Sequence, residues 1–90
     1  MPVPALFRTL RLPVIASPMF IVSGVELVVA ECRAGILGSF PALNARPQAE
    51  FDTWLHRIED SFAGQPPPYG VNLICHRSND RLAGDVETCV

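Results

Sequence analysis

Leu12-Pro13-Val14-Ile15-Ala16, running directly into Ser17-Pro18-Met19, decides how the rest of the chain is read. The first five residues are an apolar run of strand length, and β-branched Val14 and Ile15 favour extended backbone. Pro18 has no N–H to give a ladder and turns the chain. Ser23 follows, with Glu26 three residues on, the spacing of a capping box that opens a helix. A buried strand over 12–16 that breaks into a loop and then a helix is the unit on whose C-terminal end α/β proteins build ligand sites.

Working outward, the helix expected over 24–34 carries Val25, Leu27, Val28, Val29, Ala30 and Cys32. It is apolar around most of its circumference and so needs cover. Gly35 suits its C′ position. A second strand is expected over 35–39, ended by the turn at Pro41; Gly38 within it lets backbone or a ligand approach closely. Pro47 suits the first turn of a helix over 47–63, where Phe51, Leu55, Ile58 and Phe62 recur with helical spacing. After the loop containing Pro66-Pro67-Pro68, residues 69–75 read as a third strand, apolar apart from Asn72. Asn79 or Asp80 is positioned to cap a last helix over 79–90.

The order is therefore β-α-β-α-β-α, with strands apolar on both faces, the pattern of a parallel sheet covered by helices. The fold class is α/β. Consecutive right-handed units fit a doubly wound sheet or the first three βα units of a (β/α)8 TIM barrel.

Composition bounds the function. Of 90 residues 49% are hydrophobic and 18% charged, and mean hydropathy is +0.27. That is too little charge to coat a free-standing domain of this size, so some faces are expected to lie against further protein or a partner chain. A homo-oligomer through the open sheet edges is one such expectation. The net charge is −2 and the seven basic residues, all Arg, are scattered, which gives nucleic acid no footprint. Glu26, Glu31 and Arg33 end each apolar run before the roughly 20 residues of a membrane span. Arg8 and Arg11 before Leu12 imitate a signal peptide, but Pro13 and Pro18 interrupt the stretch. Cys32, Cys75 and Cys89 form no C-x-x-C pair and are odd in number, so reduced thiols and a cytoplasmic location are expected.

Two features carry candidate chemistry. Asn72 is a neutral amide inside an apolar strand, costing about 1–3 kcal/mol if left unpaired. It is either tied to neighbouring backbone or offered to a ligand at the C-terminal side of the sheet. Ser17-Pro18-Met19 either ends a strand and fills core or meets the same ligand. His76 follows the third strand but has no carboxylate at a recognisable spacing, and adjacent Cys75 points to the opposite face. His56 falls on the wet side of its helix. No phosphate loop, zinc spacing or self-sufficient catalytic set is present.

The segments LPVIASPMFIVSGVELVVAECRAGILGSFPALNARPQAEFDTWLHRI (12–58) and YGVNLICHRSNDRL (69–82) resemble the N-terminal part of the nitronate monooxygenase family, the former 2-nitropropane dioxygenases. The resemblance covers about residues 10–90. It rests on the Pro-Met turn after the first strand, on AGILGSFPALNAR, and on the VNLI segment with the following His and Ser-Asn. It implies a (β/α)8 barrel binding FMN non-covalently and oxidation of alkyl nitronates by O2 to a carbonyl compound and nitrite. Carried over by motif, the backbone of Ala16, Ser17, Pro18 and Met19 lies against the isoalloxazine ring and Asn72 hydrogen-bonds the flavin. The cofactor supplies the electron transfer.

Neither His56 nor His76 matches the family's catalytic His, and its phosphate loops follow strands seven and eight of a barrel of about 250 residues. The 90 residues by themselves are therefore expected to bind FMN weakly at best and to turn over no nitronate. Two other functions fit the same residues: a flavin barrel with a different reaction, such as an enoyl-reductase-like one, and a non-catalytic α/β interaction domain.

Overall fold

A computed structural model describes residues 8–90. Its elements are α1 (Val25–Arg33), β1 (Gly38–Pro41), a 3-10 turn (Ala42–Asn44), α2 (Gln48–Ser61), β2 (Tyr69–Asn72) and α3 (Leu82–Cys89). β1 and β2 are parallel, with Gly38 opposite Tyr69 and Pro41 opposite Asn72. The described part of the chain is thus a mixed α/β fold built on a small parallel sheet.

The run over 12–16 is not the buried strand its composition suggests. It reaches the sheet through one parallel bridge, Ile15 to Leu37. Leu37 N–H donates to Val14 O, and Ala16 N–H to Leu37 O, both at 2.9 Å. Leu12, Val14 and Ile15 remain 56%, 46% and 53% exposed. Strand propensity is satisfied there, but nothing covers the outer face.

The other boundaries move for local reasons. β1 starts at Gly38 rather than 35, because Gly35 is still closing α1. Its φ is +91°, and the bonds Gly35 N–H to Cys32 O (3.1 Å) and Ile36 N–H to Glu31 O (3.3 Å) make a Schellman motif. β2 stops at Asn72 rather than 75, because its partner strand ends at Pro41 and turns away through Ala42–Asn44. α3 begins at Leu82, three residues after 79. Asn79 Oδ1 accepts from Arg81 N–H at 3.2 Å, one residue before the helix, so neither Asn79 nor Asp80 caps it. Pro47 stands at the N-cap of α2 instead of inside its first turn.

The core lies between the sheet and the helices. α1 contributes Val25, Val28, Val29 and Cys32, an i, i+3, i+4, i+7 stripe. α2 contributes fully buried Phe51 and Ile58, with Trp54, Leu55 and Phe62 alongside. Phe40 of β1 joins the two helices. Its ring centroid is 6.0 Å from Phe51, edge-on, and 5.5 Å from Trp54. A side chain at Gly38 would come within 2.8 Å of the Val28 carbonyl, so α1 can lie this close only on a glycine.

Candidate functional site

The three parallel segments run in one direction, so the chain after Ala16, after Pro41 and after Asn72 emerges at the same edge of the sheet. Ala16 is tied into the sheet, its N–H bonded to Leu37 O and its carbonyl accepting from the Ser39 hydroxyl. Ser17, Pro18 and Met19 then run as exposed, irregular backbone. Asn72 closes β2 in register with Pro41. It alternates with Tyr69 and Val71, which pack against the helices, so it falls on the other face of the sheet. Leu37 and Ser39 share that face with Gly70, whose added Cβ would sit 3.5 Å from each.

Asn72 is exposed, so the cost of a buried unpaired amide does not arise. Among the described residues its carboxamide has no bonded partner. Its donor and acceptor are therefore both available at the edge where Ser17–Met19 lies.

Ser23 does not form the expected capping box with Glu26. Gly24 is the N-cap of α1, without a side-chain bond. The Ser23 hydroxyl, fully buried, instead accepts from Met19 N–H at 2.8 Å. Glu26 turns outward to Arg57, with Oε1 2.8 Å from Nη2. Hydrogen bonding to its own backbone N–H, and then to Arg57, holds the Glu26 carboxyl below its ordinary value.

Three rim residues escaped the sequence reading. Asn44, at the end of the 3-10 turn, donates to Met19 O (3.0 Å) and Ser23 O (2.9 Å) and accepts from Ile21 N–H (2.9 Å). Arg81 donates to Ala45 O at 2.7 Å and to Ala42 O at 3.3 Å, and pairs with fully buried Asp85 at 3.2 Å. One oxygen of Asp85 and the Arg81 Nε stay buried without partners. The only signal for this pair was its i, i+4 spacing, in the order that helix electrostatics favours less. For Asn44 the signal was a lone amide between two prolines, Pro41 and Pro47, where turns are expected.

Two clefts lie elsewhere. One of about 550 Å3 opens between α2, β2 and α3, lined by His56, Glu59, Tyr69 and Cys89 among others. A second, of about 750 Å3, runs between α1 and α2. Neither contains Ala16–Met19 or Asn72. His56 sits 3.4 Å from Asp52, and the Asp52 backbone carbonyl, then its charge, raises the imidazole pKa. The pair is exposed, an ordinary wet helix face.

No group of three or more potential metal ligands occurs among the described residues, and no helix among them is long and apolar enough to cross a membrane. The chain matches no protein-family model, no curated protein and no solved structure.

Proposed function

We propose that this chain forms the ring-holding part of an FMN-dependent (β/α)8 barrel of the nitronate monooxygenase type, a cytoplasmic oxidoreductase that converts alkyl nitronates and O2 to carbonyl compound and nitrite. The observation that carries the reading is the shared edge. Ala16–Met19 and Asn72, which the resemblance assigns to the flavin, leave the sheet on the same side, with Pro41 between them in register. Sequential parallel pairing with helices packed on one face is what the first three units of such a barrel require.

The residues present suit an isoalloxazine ring. Asn72 offers both a donor and an acceptor, as a ring edge bearing carbonyl and ring-nitrogen groups demands. Ser17–Met19 offers exposed backbone on which a flat ring can lie. When bound, FMN supplies the electron transfer. The chain's own contribution is to hold the ring, exclude water from one side of it and orient its polar edge.

The test is to titrate FMN into residues 1–90 and follow backbone and side-chain amides by NMR. Weak, saturable shifts confined to Ala16–Met19, Asn72 and their neighbours support the reading. Saturable shifts centred on the α2–β2–α3 cleft instead refute it. Robust nitrite release from FMN and a nitronate would contradict the division of labour, since no catalytic residue is assigned here.

The exposed apolar residues of 12–22 favour a second reading, a non-catalytic interaction domain that pairs through this edge. Size-exclusion chromatography separates the two: a stable, FMN-indifferent dimer supports the interaction domain.

A further inference from the structure

The loop that follows the Ser17-Pro18-Met19 segment carries two features that folding alone leaves unexplained. Met19, Phe20, Ile21 and Val22 are 43%, 56%, 78% and 64% exposed, four consecutive large apolar side chains. Ile21 also has φ +68°, a left-handed conformation that is a genuine outlier for a β-branched residue and costs on the order of 1–3 kcal/mol.

Such a loop would relax unless something overdetermined it. Asn44 does so. Its carboxamide makes three bonds into the loop, to Met19 O, Ile21 N–H and Ser23 O, and only one orientation of the amide satisfies all three. Buried Ser23 completes the turn from below, its hydroxyl and N–H closing on Met19. The Arg46 guanidinium stacks 5.3 Å over the Phe20 ring and fixes the outer side.

We propose that Asn44 is a positioning residue for the ring-binding edge: it holds Met19–Ser23 as a preformed apolar ledge against which a flat heteroaromatic ring docks. This rests on the flavin reading above. A ledge already rigid before binding avoids the cost of ordering a loop when the ring arrives. Asn44 itself, beneath the loop and half-buried, acts through Met19 and Ile21 rather than by touching the ring.

The experiment uses residues 1–90 and three variants, N44A, I21G and N44A/I21G, with FMN as the probe. Amide hydrogen exchange at Ile21 reads the clasp, and NMR titration reads FMN affinity. Circular dichroism checks that each variant folds. In N44A the Ile21 amide should exchange rapidly and FMN affinity should fall about tenfold, the effect of losing roughly one net hydrogen bond's worth of order. Glycine adopts the left-handed conformation without strain, so N44A should weaken FMN less in the I21G background than alone. That coupling is a signature that general destabilisation does not produce.

Unchanged FMN affinity in N44A, with rapid exchange at Ile21, overturns the positioning role and leaves the flavin reading intact. Equal losses with and without I21G overturn it as well. If N44A does not fold, N44D carries the test, since it keeps the acceptor for Ile21 N–H and loses the donors to Met19 O and Ser23 O: weakened FMN binding in it supports the positioning role, and unchanged FMN affinity overturns it. An unsubstituted chain that shows no FMN-dependent shifts overturns the proposal, since a ledge preformed for the ring would then bind none.

Discussion

Two extended stretches of similar length meet opposite fates in this molecule. Gly38–Pro41 is buried at every residue, whereas Leu12–Ile15 is exposed throughout. Both are extended, and both bond to a parallel neighbour. The difference is the number of sides on which each has company. β1 has Ala16 on one side, bonded by the Ser39 hydroxyl, β2 on the other and two helices above. The 12–16 run has a single bridge and no helix over its outer edge. Propensity sets the backbone conformation of a segment; burial is decided by its neighbours.

Truncation across the two regions tests that contrast most severely. Phe40→Ala should cost about 3–5 kcal/mol, because it empties a site between Phe51 and Trp54 that the helices cannot collapse to fill. Ile15→Ala should cost below about 1 kcal/mol, since half of that side chain is already in water. Urea denaturation of both variants measures it. Comparable losses would mean that the 12–16 run is covered in solution, and the contrast would fail.

The clamp beyond the C-terminal edge of the sheet, where Arg81 bonds the carbonyls of Ala42 and Ala45, is next in size. Arg81→Met leaves Asp85 buried without its partner and should cost about 3 kcal/mol or more. The double variant Arg81→Met/Asp85→Leu should be less destabilised than either single one, since no buried charge then remains. Strictly additive losses would show that the two side chains act separately, through packing alone.

How much of this was legible beforehand varies by region for physical reasons. The helices announced themselves through local signals: the Phe51–Ile58 stripe and the glycine stop after α1 depend on residues within a turn or two. The α/β class followed from the same periodicities. Strand limits did not, because β2 ends where β1 runs out of partners, thirty residues away in sequence. The fate of Ser23 was hidden similarly. Its spacing to Glu26 is that of a capping box, yet Met19 N–H takes its hydroxyl first. The Asn44 clasp is made by contacts across more than twenty residues, which no periodicity encodes, and the i, i+4 spacing of Arg81 and Asp85 gave no sign of their burial. For Asn72 the edge position was legible, and its exposure was not.

Within the packed half, smaller effects sharpen the picture. α2 closes with a Schellman motif, Gly64 N–H to Glu59 O at 2.9 Å and Ala63 N–H to Asp60 O at 3.2 Å. Its C′ residue is Ala63, at φ +53°, where glycine carries no Cβ penalty. Ala63→Gly should stabilise by about 0.5–1 kcal/mol, read as a melting temperature a few degrees higher. A lower melting temperature would mean that the entropy glycine adds to the unfolded chain outweighs the relief of strain.

The last difference lies at the seam of α1 and β1 and is read through pH. Burial raises the Glu31 carboxyl pKa above its ordinary value, and a bond from Ser39 N–H offsets this only in part. One carboxylate oxygen is buried with no partner. The folded chain therefore binds a proton at higher pH than the unfolded chain does. Stability contributed by this group rises as pH falls through the folded pKa, and the rise is complete below the ordinary carboxylate value. Glu31→Gln removes the buried charge and keeps an acceptor for Ser39 N–H, so it should be more stable than the parent at pH 7. That advantage should shrink steadily toward pH 4.5, the ordinary value for the group. The lowered pKa of Glu26 has the opposite pH dependence, but it is common to both proteins and cancels in the difference. Denaturation of the pair from pH 4 to 8 measures the trend. A variant less stable than the parent at pH 7 would show that the charged bond to Ser39 outweighs desolvation, and that the packed half tolerates an ion where its geometry predicts a penalty.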